Sequence, residues 1–266
     1  MIGGVMRRLQ FRRELDRRSN LIGTFVKLPT VHSIEALSRS DINFVVIDQE
    51  HAPLDRAMTD AMLLAARATD LPALVRVPSA APFHLQSVLD SGAAGVLVPH
   101  VHGASVARSV ASACRYATGR GYSGATRSAQ GGRNLHQTVA EEDRDVVVIA
   151  QVESLSGLNE VEAIANCDGV DGIFIGRADL AVALGADAVN ADIVWDAARR
   201  IASATLAARK VLAGFAGAAA DAEALRSLGA TLIVDGSDQA WLTAAATRAT
   251  EDFRRSSGAP VAPTRN

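Results

Sequence analysis

Val146-Val-Val-Ile-Ala-Gln-Val-Glu153 and, beyond a short helical stretch, Asp171-Gly-Ile-Phe-Ile-Gly-Arg-Ala-Asp179 decide how this chain is read. Each is a run of apolar, largely β-branched residues with no polar alternation, the pattern of a strand buried on both faces, and each ends in an acid. Strands without a wet face belong to parallel sheets covered by helices. Two carboxylates at the ends of neighbouring parallel strands can together hold a metal ion.

Working outward, the same texture recurs. Strands are predicted at 22–27, 44–48, 73–76, 95–98, 146–151, 172–175, 211–214 and 231–234, and alanine-rich helical stretches follow each of them. Eight strand-then-helix units fit a single α/β domain of the (β/α)8 TIM-barrel type better than a sandwich, with a doubly wound open sheet as the rival. A chain of 266 residues, 48% hydrophobic, is long enough to bury such a core as one domain, set here at residues 1–255 with an N-terminal helix and a tail, 256–266, read as disordered.

The formal charge of −2 argues against nucleic acid or an anionic membrane as partner. Arg7, Arg8, Arg12, Arg13, Arg17 and Arg18 crowd the start, but Glu14 and Asp16 lie among them, so an exposed amphipathic helix is the expectation rather than a transit peptide. With no signal peptide or spanning segment to be found, the reading is a cytoplasmic protein. Cys114 and Cys167 sit in apolar patterns without ligand spacing, which excludes a disulfide framework or a zinc site as the basis of the fold. The rhythm breaks at 116–144, where glycines alternate with Arg120, Arg127 and Arg133; this is read as a long loop without phosphate-cradle spacing.

The polar residues that end the strands carry the chemistry. Asp48-Gln-Glu-His51, Arg76-Val-Pro78, Gln151-Val-Glu153 and Gly176-Arg-Ala-Asp179 all fall at C-terminal strand ends, the face on which a barrel assembles its active site. Glu153 and Asp179 offer hard oxygen ligands for Mg, Mn or a similar divalent ion; capping of the following helices is the ordinary alternative for each alone. Arg76 can grip a carboxylate or polarise a ketone, or pair with a structural acid. His51, on a turn near Asp48, can act as a general base. His100 and His102 can line the same basin, whereas His32, His84 and His136 read as ordinary positions and Asp55 as an N-cap. Arg177 and Arg127 can meet an acidic substrate, with solvent exposure as the plainer reading.

These residues stand in blocks. Ile22-Gly-Thr-Phe25, Asp48-Gln-Glu-His-Ala-Pro53, Val75-Arg-Val-Pro78, Leu89-Asp-Ser-Gly92, Val98-Pro99, Gln151-Val-Glu153, Gly169-Val-Asp-Gly-Ile-Phe-Ile-Gly-Arg-Ala-Asp-Leu180 and Gly236-Ser-Asp238 follow one another over 22–253. In them the sequence resembles the HpcH/HpaI family of metal-dependent pyruvate aldolases, relatives of the citrate lyase β subunit. The resemblance implies a barrel of the phosphoenolpyruvate/pyruvate-binding type and a divalent cofactor (Mg, Mn or Co) held by Glu153 and Asp179, with Glu50 on a metal-bound water. It implies that Arg76 binds the keto oxygen, that Phe25, Gln151 and the amides near Ala178 and Asp179 contact pyruvate, and that His51, oriented by Asp48, moves the proton. Asp90 would reach a neighbouring subunit in a homo-oligomer, a hexamer or trimer. The substrates implied are a 2-keto acid and an aldehyde. A CoA-thioester lyase and a non-catalytic keto-acid-binding barrel are the alternatives, and a Schiff-base mechanism is weakened because the lysines are Lys27 and Lys210 alone. Gln49, Arg177 and Tyr116-Ala-Thr118 depart from the family's usual residues and leave the aldehyde open.

Overall fold

The computed structural model describes residues 8–129, 132 and 134–257. Eight strands, β1 (Leu21–Val26), β2 (Phe44–Asp48), β3 (Ala73–Arg76), β4 (Gly95–Val98), β5 (Val147–Val152), β6 (Gly172–Ile175), β7 (Val211–Ala216) and β8 (Leu232–Ser237), close into a barrel. Each pairs in parallel with the next, and β8 pairs with β1, so the open-sheet rival is excluded. The helices are α1 (Arg8–Asp16) ahead of β1, α2 (Val31–Leu37), α3 (Arg56–Ala68), α4 (Pro82–Asp90), α5 (Ala104–Ala113), α6 (Leu135–Asp145), α7 (Leu155–Asn159), α8 (Val161–Ala165), α9 (Arg177–Ala183), α10 (Asp192–Ala207), α11 (Ala219–Ser227) and α12 (Asp238–Ser257).

Side chains along a strand alternate between faces, and the two sets form two separate cores. Leu21 and Phe25, Phe44 and Val46, Leu74, Leu97, Val147 and Ile149, Phe174, Val211 and Ala213, and Leu232 and Val234 fill the barrel. Their neighbours, such as Val45, Ile47, Val75, Val96, Val148 and Ile173, pack outward under the helices. A side chain at Gly23 would run into the Phe44 ring, so the bare backbone there makes room for it. Continuing the inward set two residues at a time leads from Phe44 and Val46 to Asp48, from Leu74 to Arg76, and from Val147 and Ile149 to Gln151 and Glu153. The fold thus delivers these polar groups into the C-terminal mouth by periodicity alone.

Three expectations change. The N-terminal helix is not merely exposed: Phe11 and Leu15 of α1 join the barrel core, Phe11 packs against Phe44 with ring centroids 5.5 Å apart, and Arg12 binds Asp171 at 2.8 Å. It stops the N-terminal end of the barrel. Arg12 also pairs with Asp16 and Arg17 with Glu14, as the charge pattern suggests, while Arg7 lies outside the described residues. The second half of the supposed 116–144 loop is α6, capped by Asn134, whose side chain accepts from the Gln137 amide. Arg133 lies outside the described residues. Finally, α12 runs through Ser257, so Ser256 is helical; residues 258–266 of the supposed tail lie outside the description.

Both cysteines are buried, as their patterns suggest. Burial pushes the Cys114 thiol up to about 12, with Arg115 and Arg120 only partly offsetting it. Native protein at mildly alkaline pH is therefore expected to leave Cys114 unmodified by Ellman's reagent until guanidinium unfolds the barrel; rapid native labelling of Cys114 would contradict this packing.

Candidate active site

The C-terminal ends of the strands surround a cavity of about 400 Å³ whose lining includes Phe25, Lys27, His51, Arg76, Gln151, Phe174, Ala178 and Asp179. A larger cavity of about 520 Å³ lies at the opposite end, against Pro72, Ala73 and Ala94 where β3 and β4 begin, and contains none of the strand-end groups. Size does not decide between them; the convergence of polar side chains does.

Asp48 and Arg76 are register partners on β2 and β3, both facing inward, and this places a carboxylate beside a guanidinium. Arg76 Nε and Nη2 donate to the two oxygens of Asp48 at 2.9 and 2.7 Å, a two-point grip in a buried setting. The guanidinium also lies 4.3 Å over the Phe25 ring and 3.4 Å from Glu50 Oε2. Nε and Nη2 are taken up by Asp48, while Nη1 makes no hydrogen bond among the described residues. Lys27 Nζ approaches Asp48 at 3.3 Å, and the backbone amides of Glu50 and His51 complete its surroundings. Burial alone would raise the Asp48 carboxyl, but Arg76, the His51 amide and Lys27 together hold it below the usual carboxylate range. Asp48 therefore meets His51 through its backbone, and the imidazole, half exposed, reaches Glu50 instead at 3.5 Å.

Glu50, His100 and Glu153 come together. The His100 ring lies between the carboxylates, Nδ1 2.9 Å from Glu153 Oε1 and Nε2 3.1 Å from Glu50 Oε1. The His100 amide also donates to Glu153 Oε1 at 2.7 Å. Gln151 Nε2 bonds to the other oxygen of Glu153. One carboxylate or histidine atom from each of the three residues falls within 4.8 Å of the others, the dimension of a metal site. The donors fit a cation: Gln151 Oε1 is buried without a hydrogen-bond partner, and Glu50 Oε2, likewise without one, is approached by Arg76 Nε at 3.4 Å and His51 Nε2 at 3.5 Å. Burial, reinforced by the Glu153 charge and opposed by Arg76, pushes the Glu50 carboxyl above its ordinary value.

Asp179 lines the cavity from the first turn of α9, with its carboxylate exposed, and is not one of those three ligand atoms. The capping alternative fails for Glu153, because Ser154 caps α7 by accepting from the Gly157 amide. Asp55 caps α3 as expected. His102 meets Ser154 at 3.3 Å, and its ring stacks 6.0 Å from that of His100. Asp90, at the end of α4, is held by Arg120 at 2.7 Å within the same chain.

Arg177 departs from the solvent-exposed reading while lining the strand-end cavity, and Arg127 lies away from that cavity. Arg177 is buried, paired with Asp221 at 3.1 Å, bonded to Asn190 and the Phe215 carbonyl, and stacked 4.5 Å over Trp195. Arg127 pairs with Asp60 at 3.0 Å and lines the larger cavity at the other end. His100 was the group least visible as central. Its backbone sits at φ +56°, a left-handed position that costs a histidine energy and is often found at functional sites.

Gly176 supports Glu153 directly. A methyl there would lie 2.5 Å from Glu153 Cβ and 2.9 Å from Oε2. Gly176→Ala is expected to displace the Glu153 carboxylate and lower divalent-cation affinity by about tenfold, in line with the usual cost of disturbing a ligand's support. Isothermal titration with Mn2+ measures this, and unchanged affinity would mean that Glu153 does not need this backing.

The family model described as HpcH/HpaI aldolase/citrate lyase matches residues 21–245. A 4-hydroxy-2-oxovalerate aldolase of Rhodococcus jostii is 38% identical over 73% of this chain and 78% of its own length. A hydroxypyruvate/pyruvate aldolase of Paraburkholderia phytofirmans is 34% identical over 90% and 95%. Among solved structures, an HpcH/HpaI aldolase/citrate lyase family protein from Burkholderia cenocepacia superposes with a TM-score of 0.87 at 32% identity, covering 92% of this chain and 99% of the other.

Proposed function

We infer, because this chain belongs to the HpcH/HpaI aldolase/citrate lyase family, that it is a divalent-metal-dependent aldolase. It reversibly cleaves a 4-hydroxy-2-keto acid to pyruvate, or a close 2-keto acid, and an aldehyde. The observation that carries the reading is the meeting of Glu50, His100 and Glu153 beside the Asp48-Arg76 pair at the mouth of the barrel. A bound divalent cation (Mg, Mn or Co) would supply Lewis-acid stabilisation for the negative charge that develops on the keto acid.

The chain's own residues divide the remaining work. Glu153 and Asp179 would hold the cation, and Glu50 would order water beside it. Arg76, fixed by Asp48 and Phe25 at the cavity wall with Nη1 not engaged by Asp48, would offer its charge to the keto oxygen, so a cation would face the enolate as the carbon–carbon bond breaks. Gln151, Phe25 and the Ala178 amide position pyruvate against the barrel floor. His51 takes the proton from the substrate hydroxyl, with its turn held by Asp48 and its ring beside Glu50. The apolar share of the lining, Phe174 and Phe215 among it, limits water around the charge.

The protein acts on small molecules, as a homo-oligomer (hexamer or trimer) in the cytoplasm. No helix among the described residues is long and apolar enough to cross a membrane. The test is pyruvate release from a panel of 4-hydroxy-2-keto acids, followed by lactate dehydrogenase and NADH. Activity is expected to vanish in EDTA and return with Mn2+, Co2+ or Mg2+. Activity indifferent to EDTA after exhaustive dialysis would overturn metal dependence.

A further inference from the structure

We propose that His100 supplies a nitrogen donor to the cation held by Glu153, and that this tunes the centre away from Mg2+ and toward transition metals. The inference rests on the metal-dependent reading above and goes beyond it, since the ligands that reading carries over are oxygen alone.

Four observations support it. First, the His100 ring bridges the two carboxylates, with Nδ1 2.9 Å from Glu153 Oε1 and Nε2 3.1 Å from Glu50 Oε1. Second, its position is fixed from behind: the His100 amide donates to the same Glu153 oxygen that its ring approaches, and one residue further on the Val101 amide bonds to the Gln151 carbonyl. Third, that position requires a left-handed backbone at a non-glycine residue. A strained conformation persists where the surrounding contacts over-determine it, and here those contacts aim the ring. Fourth, Gln151 Oε1 is buried without a hydrogen-bond partner beside Glu153, an acceptor that the ring leaves unmet.

The selectivity follows from ligand chemistry. Mg2+ keeps its waters and takes oxygen, whereas an imidazole nitrogen suits Co2+ and the later transition ions better. Because Co2+ exceeds Mg2+ at almost any site, the informative quantity is the change in their ratio when the imidazole is removed.

His100→Asn and His100→Gly are the appropriate variants, since both residues tolerate the left-handed backbone. Two readouts serve, neither of them activity: Mg2+ and Co2+ affinities by isothermal titration, and electron spin echo envelope modulation of the Mn2+-loaded protein. Wild-type protein is expected to show directly bound 14N coupling, retained in His51→Gln and lost in both His100 variants. Co2+ affinity is expected to fall roughly tenfold to a hundredfold in those variants while Mg2+ affinity stays within about threefold. A metal-loaded wild type with no 14N coupling, or equal losses for both ions, would overturn the role of His100 and leave the metal-dependent reading standing. Failure of every divalent ion to bind, with Glu153→Gln indistinguishable from wild type, would overturn both.

Discussion

Replacing Glu153 with glutamine is expected to abolish measurable turnover, a loss on the order of a thousandfold or more, while leaving the barrel folded. Glu153 is the residue on which the site converges: its two oxygens receive the His100 amide, the His100 ring and the Gln151 amide. An amide of the same shape can still accept from the His100 backbone, so the loop has no reason to collapse. What is lost is the full negative charge that the proposed cation would meet, and electrostatic stabilisation of developing charge is commonly the largest single contribution to such catalysis. The metal-free variant is also expected to melt no lower than wild type, because Glu50 and Glu153 no longer repel across the His100 ring. Metal titration, a melting curve and a turnover assay on one preparation separate these effects. A variant that retained turnover within tenfold would remove Glu153 from the chemistry.

Arg76→Ala is expected to combine a catalytic loss with a structural one. Asp48 is completely buried and depends on Arg76 for two hydrogen bonds. Removing one partner of a buried ion pair typically costs about 3–5 kcal/mol. For a protein of this size that corresponds to a melting-temperature drop on the order of 10 °C. Lys27, 3.3 Å from Asp48, offers partial compensation and makes the lower end of that range the expectation. Adding Asp48→Asn to Arg76→Ala neutralises the orphaned charge and is expected to recover most of the melting temperature without recovering turnover. Arg76→Lys keeps the charge but loses the fork, and turnover should fall roughly a hundredfold or more. If the double variant regained activity along with stability, Arg76 would be a structural brace and not a group that acts on substrate.

The parts of the molecule legible in the sequence are those governed by short-range periodicity. The strands show because most of their residues are buried on both faces and are branched and apolar, and the inward phase of Val147, Ile149, Gln151 and Glu153 follows from counting by two. The polar end of β8, Asp235-Gly-Ser237, was missed because nothing apolar marks it. Helix α6 was missed because it is strongly polar, with Thr138 and Glu142 as its buried residues, and follows a glycine-rich stretch; Asn134 three residues before Gln137 was the one available signal. The barrel-stopping role of α1 depends on Phe44, far along the chain, and no local pattern reports it.

The site divides in the same way. Asp48, Arg76, Gln151 and Glu153 stood out as strand-end groups, but the grip of Arg76 on Asp48 comes from the β2-β3 register, which the sequence does not state. His100 gained its place from a left-handed turn after Pro99, and Arg177 was drawn inward by Asp221 and Trp195 from two other helices. Long-range partners of this kind leave no trace in residue spacing.

The most direct test of the central claim is proton exchange at the methyl group of pyruvate in deuterated water, followed by NMR. It asks for the enolate alone and needs no knowledge of the aldehyde. Exchange is expected with Mn2+ or Mg2+, to stop in EDTA, and to be absent from Glu153→Gln and Arg76→Lys. Folded, metal-loaded protein that produced no exchange, or exchange that survived both substitutions, would contradict pyruvate chemistry at this site.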